Sequence, residues 1–190
     1  MQTNRYFLAL ILALFLGIGG LSACGRRGPD GVEAARESDE SLLTPAEQDF
    51  AMKASQAHLA EIEMGRLAQE REQKGDVTGL ARMIVDDHMD GLKKLTDLTK
   101  KYDGPQPQPL DREVRQDVDR LAGLSGAEFD REFVNMMVAD HQKAIEMFRN
   151  QSQLALNADV KEYVTDMLPT LEKHLKKAQE LQSKLFGGNK

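Results

Sequence analysis

From Thr44 onward the apolar residues of this chain recur three and four places apart, the spacing of one face of an α-helix. Over 45–74 that stripe includes Phe50, Ala54, Ala57, Ala60, Met64, Leu67 and Ala68. Thr44-Pro45-Ala46-Glu47 opens the helix as a capping box, with Thr44 as N-cap, Pro45 in the first helical position and Glu47 in the third. Gly75 ends it, and Asp76 is expected to cap a second helix that fades near Tyr102. Asp103-Gly104-Pro105-Gln106-Pro107-Gln108-Pro109 cannot be helical and reads as a connector. A short helix over 110–121 follows, broken by Gly123. Ser125 then caps a third long helix, with Glu128 in the capping-box place, running to about Leu156. Asn157-Ala158-Asp159 turns the chain into a fourth helix that reaches about Phe186 and carries Pro169 inside it, where a kink is expected. β-Branched residues are sparse, so the fold class is all-α. Two helical hairpins joined by a Pro-rich crossover predict an antiparallel four-helix bundle with a short extra helix in the crossover, over 44–186. Residues 187–190 read as a frayed tail.

Polar residues interrupt the apolar stripes at a few places, and two of these belong to a repeat. Residues 83–92, Met-Ile-Val-Asp-Asp-His-Met-Asp-Gly-Leu, return at 136–145 as Met-Met-Val-Ala-Asp-His-Gln-Lys-Ala-Ile. In each copy aliphatic residues stand three and four places before the His, and a small and an aliphatic residue stand three and four after it. His88 and His141 therefore share the core-facing side of their helices. Glu61, among Ala57, Met64, Gly65 and Ala68, and His174, among Met167, Leu171, Ala178 and Leu181, are placed the same way.

Helix rise relates their heights. Glu61 lies 14 residues before the turn at Gly75 and His88 13 after it. His141 lies 16 residues before Asn157 and His174 17 after it. At about 1.5 Å per residue each pair is level within a few ångströms. One carboxylate and three imidazoles then meet in mid-bundle if the hairpins pack face to face. Buried groups of this kind cost several kcal/mol each unless they find partners. Imidazole and carboxylate suit a divalent ion such as Fe, Zn, Mn, Ni or Cu, held by Glu61, His88, His141 and His174. Asp87 and Asp140 each precede a His and can orient an imidazole or complete a second site, and His58, one turn before Glu61, can add a ligand. The same residues can instead form a metal-free Glu–His hydrogen-bond network that fixes the bundle's register. Both readings stand.

The N-terminus adds a location. Arg5 precedes an uncharged apolar run over 6–20, too short for a comfortable membrane span, and Leu21-Ser22-Ala23-Cys24 ends it. That tetrapeptide resembles the lipobox of bacterial lipoproteins. Residues 1–23 are expected to be a signal peptide, Cys24 the lipidated first residue of the mature chain, and 24–43 a flexible tether. Cys24 is the single Cys, so lipidation leaves no thiol for a disulfide or a metal. Gly25 in place of Asp favours the outer membrane, facing the periplasm. The partner implied is thus a membrane, through the anchor. The net charge of −6, with acids and bases interspersed and no Trp, argues against nucleic acid. The sequence identifies no protein partner.

Several of these residues also carry a family resemblance. Phe50, Ala60-Glu61-Ile62, Gly65, Leu67-Ala68 and Val85-x-Asp87-His88 resemble the first half of the DUF4142 domain. Phe129-Asp130, Val138-x-Asp140-His141, Leu168-Pro169 and His174 resemble its second half. The resemblance covers essentially the whole expected bundle. It implies a ferritin-like four-helix bundle in an exported bacterial protein and implies no activity. The ferritin-like di-iron pattern needs Glu-x-x-His on two helices. Here Val85, Val138 and Leu171 stand three places before the three His, so a mononuclear His-rich site, or a site that has lost metal altogether, fits better than an oxygen-activating di-iron centre. Three functions follow: a metal-binding module, a redox enzyme built on the same centre, or an envelope scaffold with a structural core network. No further acid, nucleophile or cofactor motif supports the enzyme.

Overall fold

A computed structural model describes residues 42–71 and 75–187. The expected signal peptide, Cys24 and nearly all of the expected tether lie outside the described residues, as do 72–74 and 188–190. Five helices make up the described part: α1 (Pro45–Arg71), α2 (Asp76–Lys101), α3 (Arg112–Ala122), α4 (Gly126–Leu154) and α5 (Ala158–Gly187). None among the described residues is long and apolar enough to cross a membrane.

α1 packs on α2 and α4 on α5, and the two hairpins meet through α2 against α5 and α1 against α4. Polar ties at the bundle's ends show the directions. At one end Glu47 of α1 accepts the N–H groups of Leu156 and Asn157 (3.0 and 2.8 Å), and Lys101 of α2 pairs with Asp159 of α5 (2.5 Å). At the other, Lys184 of α5 pairs with Asp76 of α2 (2.9 Å), and Arg71 of α1 donates to the carbonyls of Ala122 and Leu124. Each long helix is therefore antiparallel to both of its neighbours, while α2 and α4 run the same way. The crossover must return the full bundle length, and α3 lies along it against α1 and α4. This is the one-crossover arrangement of ferritin-like bundles.

The capping box forms as the sequence predicts and does more than cap. Thr44 Oγ1 and N both donate to Glu47 Oε2, and Glu47 N donates back to Thr44 Oγ1 (2.9, 2.8 and 3.2 Å). The other oxygen, Oε1, holds the α4–α5 turn. Burial pushes the Glu47 carboxyl up, but the N–H groups of Asn157, Thr44 and Leu156 outweigh it and leave the group below its ordinary value. Leu43, assigned to the tether by composition, is buried in the core, so packing begins before the box. Asn157 caps α5 through Oδ1, which accepts from Asp159 and Val160. Two other caps differ from expectation. Gly75, not Asp76, takes the N-cap of α2, and Asp76 enters the first turn, where a carboxylate favours the helix dipole and reaches Lys184. Ser125 occupies the N-cap of α4 without a side-chain capping bond. Pro169 lies within α5, which runs unbroken through it.

The core is divided. One apolar cluster, with Leu80, Ile84, Phe129, Phe133, Met137 and Leu181, fills the α1–α2 turn end. A second, with Phe50, Leu95, Phe148, Val164 and Leu171, fills the other. Phe50 meets Phe148 edge to face with ring centres 5.0 Å apart. His58, Glu61, His88, His141 and His174 lie between the two clusters. Close contact of α1 with α2 depends on Gly65, where an added Cβ would stand 2.6 Å from Val85 Cγ2 and 3.2 Å from the Ala81 carbonyl oxygen. Gly65→Leu is expected to cost roughly 3 kcal/mol, at the top of the ordinary overpacking range. A lower urea midpoint with unchanged slope would show it, and a midpoint equal to wild type would refute the close-packing role.

Candidate metal centre

The hairpins do pack with the four polar stripe residues together. Glu61, His88, His141 and His174, one from each long helix, are all within 1% of complete burial. His141 Nε2 lies 3.1 Å from His174 Nδ1, and His88 Nε2 lies 3.3 Å from the same atom. Glu61 Oε2 closes the ring, 3.2 Å from His88 Nε2 and 3.4 Å from His141 Nε2. The three His offer ligand atoms all within 4.8 Å of one another. Four ligands tetrahedrally arranged about an ion, at bonds of about 2.0 Å, stand about 3.3 Å apart. Four of the six separations among the donor atoms, the edges of this ring, have that length.

The outer nitrogen of each imidazole is held from behind. His141 Nδ1 lies 2.9 Å from the Met137 carbonyl, which only accepts, so the proton is on Nδ1 and Nε2 presents a lone pair. His174 Nε2 lies 2.9 Å from Asp87 Oδ2. Burial pushes Asp87 up, but His174 and Lys173 together hold its carboxyl below the ordinary value, so it accepts and His174 Nδ1 is bare. The two bare nitrogens face each other at 3.1 Å with no proton to share. Burial is also the main cause that holds every imidazole neutral. His141 falls to about 3 and His58 to about 4, while His88 lies well below and His174 below the ordinary range.

Behind His88 is a relay. His58 Nδ1 lies 2.9 Å from His88 Nδ1, and His58 Nε2 lies 2.7 Å from Tyr163 Oη. Neutral rings allow two proton arrangements. In one, Tyr163 O–H donates to His58, His58 to His88, His88 Nε2–H to His174, and His174 to Asp87. In the other, every bond on the Tyr163–His58–His88 side reverses, and His88 Nε2 turns a lone pair toward the centre. The second arrangement presents three imidazole lone pairs and one carboxylate to a single point.

Glu61 fits neither hydrogen-bonding scheme. Both its oxygens are buried without a hydrogen bond, although two imidazole nitrogens stand within 3.4 Å off the bonding direction. Burial, then the charge of Asp140, pushes its carboxyl well above the ordinary range. An unpaired buried carboxyl beside facing lone pairs is the donor set of a cation site.

The structure thus brings together Glu61, His88, His141 and His174. His58 is not a fifth ligand, because both of its nitrogens are engaged behind His88. Asp87 orients His174. Asp140 orients no imidazole among the described residues; its carboxylate turns to Lys143 (3.4 Å) and faces a cleft on the α1–α4 side. Tyr163 and the Met137 carbonyl were not anticipated. The carbonyl lies one turn before His141 and is available on any helix, so nothing in the sequence distinguishes it. Tyr163 sits on the apolar stripe of α5 like a core aromatic, and only its hydroxyl differs from Phe.

The fold and site define a ferritin-like helical bundle with a histidine-lined core. The family model for DUF4142, a domain of unknown function, matches residues 32–181, and the chain belongs to that family. Among solved structures with this fold is a DUF305 fragment from Deinococcus radiodurans, 18% identical, covering 75% of this chain and 99% of its own, with a TM-score of 0.67. A DUF305 protein from Streptomyces coelicolor is 16% identical over 74% and 92%, TM-score 0.64. CopM in its Cu(I)-bound form is 22% identical over 74% and 98%, TM-score 0.64. At these identities the likeness concerns the fold. No curated protein resembles the chain closely enough in sequence to count as a relative.

Proposed function

We propose that this protein is a lipid-anchored binding protein for a transition-metal ion, tethered through Cys24 to the outer membrane and facing the periplasm. The ion is held by His88, His141, His174 and Glu61. The observation that carries this reading is the closed ring of four buried donor atoms at 3.1–3.4 Å, with an unpaired carboxyl and two facing imidazole lone pairs in it. Four protein ligands fill the shell of a four-coordinate ion, which suits holding an ion rather than reacting at it. With nitrogen and oxygen donors, divalent copper binds tightest of the first-row ions. CopM, of the same fold, is known in Cu(I)-, Cu(II)- and silver-bound forms, so copper is the first ion to test, ahead of Zn, Fe, Mn and Ni. The lipid anchor rests on Arg5, the apolar run over 6–20 and the Leu21–Cys24 tetrapeptide that ends it.

A metal-free scaffold is the second reading, favoured by the unbroken hydrogen-bond chain from Tyr163 to Asp87. The two separate on elemental analysis of the protein purified from its own compartment without chelator or affinity His-tag. Near-stoichiometric metal is expected. A fully helical protein holding none, whose thermal stability also ignores added copper, would leave the scaffold reading in its place.

A further inference from the structure

Three sides of the centre are closed. His174 is backed by Asp87, which Lys173 covers; His88 is backed by His58 and Tyr163; and His141 is backed by its own helix. The fourth side is Glu61, and it adjoins a cavity of about 580 Å³ between α1, α3 and α4. Ala57, Met64 and Met136 are among the residues of its walls, and Glu61 forms part of its lining. Asp49, Asp111, Asp117 and Asp140 also line it, with Lys53 and Lys143 as the cations among them. Lys53 rests on Asp49 (2.6 Å), Lys143 on Asp140 (3.4 Å) and Arg120, from outside the wall, on Asp117 (3.2 Å); within the wall the carboxylates outnumber the ammonium groups.

We propose that this cavity is the port through which the metal cation enters and leaves the core, with Glu61 as the group that passes it between the cavity and the imidazoles. The inference rests on the proposed metal site. Its own observation is that one carboxyl, 2% exposed and without a hydrogen bond, belongs to both the cavity wall and the donor ring. A carboxylate-rich mouth concentrates cations and speeds their capture. Beside these carboxylates, Ala57, Ala60 and Val114 supply apolar wall, and Met64 and Met136 supply thioethers, which are weak soft ligands. A hydrated ion can therefore exchange water for the Glu61 carboxylate first, and the imidazoles complete its coordination from the far side. Apart from coordination, the passage requires that a proton on Glu61 leave to water and that the Tyr163–His58–His88 protons take the arrangement in which His88 Nε2 is bare.

Blocking the cavity tests this without touching a ligand. In the full chain carrying Cys24→Ser, the introduced thiol of Ala57→Cys is the single one. It is capped either with an S-methyl group or with a bulky maleimide dye. A matching pair is made at Gln179→Cys, an exposed site at a different cleft between α4 and α5. Loading is followed with Cu(II) alone, and release with a coloured chelator. The dye at position 57 is expected to slow both loading and release at least tenfold, with affinity within threefold of the S-methyl form. The dye at position 179 should leave both rates within twofold. Equal rates for the two caps at position 57 would overturn the port. As a second measurement, Asp111→Asn with Asp117→Asn should slow loading severalfold at low ionic strength, an effect that salt removes. Loading unchanged by that pair at low salt would remove the mouth's role. If the uncapped wild type takes up no Cu(II) at equilibrium, the metal site itself fails, and that is seen before any cap is attached.

Discussion

Acidifying the metal-free protein from pH 6.5 to pH 4.5 is expected to unfold it. All four imidazoles are held neutral in the fold, with His58 at about 4 and His141 at about 3. An unfolded chain binds a proton at each His near pH 6.5. The unfolded state therefore gains protons that the folded state refuses, and stability falls as pH drops below 6.5 toward the folded values. Glu61 works the other way. Its folded value is raised, so on the way down to about 4.5 the fold holds a proton that the unfolded chain has released. Asp140, raised by its own burial, adds to Glu61. Near pH 5.5 the unfolded chain holds nearly four imidazole protons; His58 and His141 refuse theirs in the fold, burial resists them at His88 and His174, and the raised Glu61 and Asp140 carboxyls offset part of the difference. A difference of two to three protons removes roughly 3–4 kcal/mol per pH unit. Two units remove an amount comparable to the whole stability of a domain, about 5–15 kcal/mol. Far-ultraviolet circular dichroism in chelator should show helix lost cooperatively across this window. Bound copper should move the midpoint to lower pH, because the ion binds the folded state. A urea midpoint at pH 4.5 equal to that at pH 6.5 would show that the imidazoles are not held neutral by the core.

The fold and the ring of donors were largely legible because both follow from helix periodicity. The 3.6-residue period put Glu61, His88, His141 and His174 on core faces, and counting from Gly75 and Asn157 put them at one level. That count works because helices in a tight hairpin share a turn, and it needs no knowledge of side-chain angles. It cannot reach further. Asp87 and Asp140 occupy equivalent places in the repeat, yet only Asp87 meets an imidazole. The reason lies in the neighbours: α2 packs beside α5, which brings His174 to Asp87, whereas Asp140 on α4 faces the α1–α3 side, where no His is offered. His58 stands three residues before Glu61, on nearly the same face, but the Tyr163 hydroxyl behind it determines that it supports His88 instead of joining the ring. With Gly75 as the cap, Asp76 stands in the first turn, where it meets Lys184 of the neighbouring helix.

Changes at the ring and behind it should separate by size. His141→Ala removes one of four donors and leaves Glu61 facing a void, so copper affinity should fall by more than about 100-fold. That exceeds the 10–100-fold range typical for groups that only orient a ligand. Asp87→Asn keeps an oxygen that can accept from His174 Nε2–H, and so keeps the tautomer, but it removes the negative charge that makes His174 a stronger donor. Its loss should fall inside that range. Tyr163→Phe leaves His58 Nε2 without its partner in a site where both are buried, which costs stability in either proton arrangement. It touches the ring only through two imidazoles, so the smallest change in affinity of the three is expected. Titration against a competing chelator gives the three affinities, and circular dichroism confirms that each variant is folded. A metal-free network predicts another pattern: all three variants lose stability, and none changes its response to copper, because the wild type has none to lose. Asp87→Asn binding copper as tightly as wild type would break the link between the Asp87–His174 bond and the ion. His141→Ala doing the same would remove the ring of four as the site.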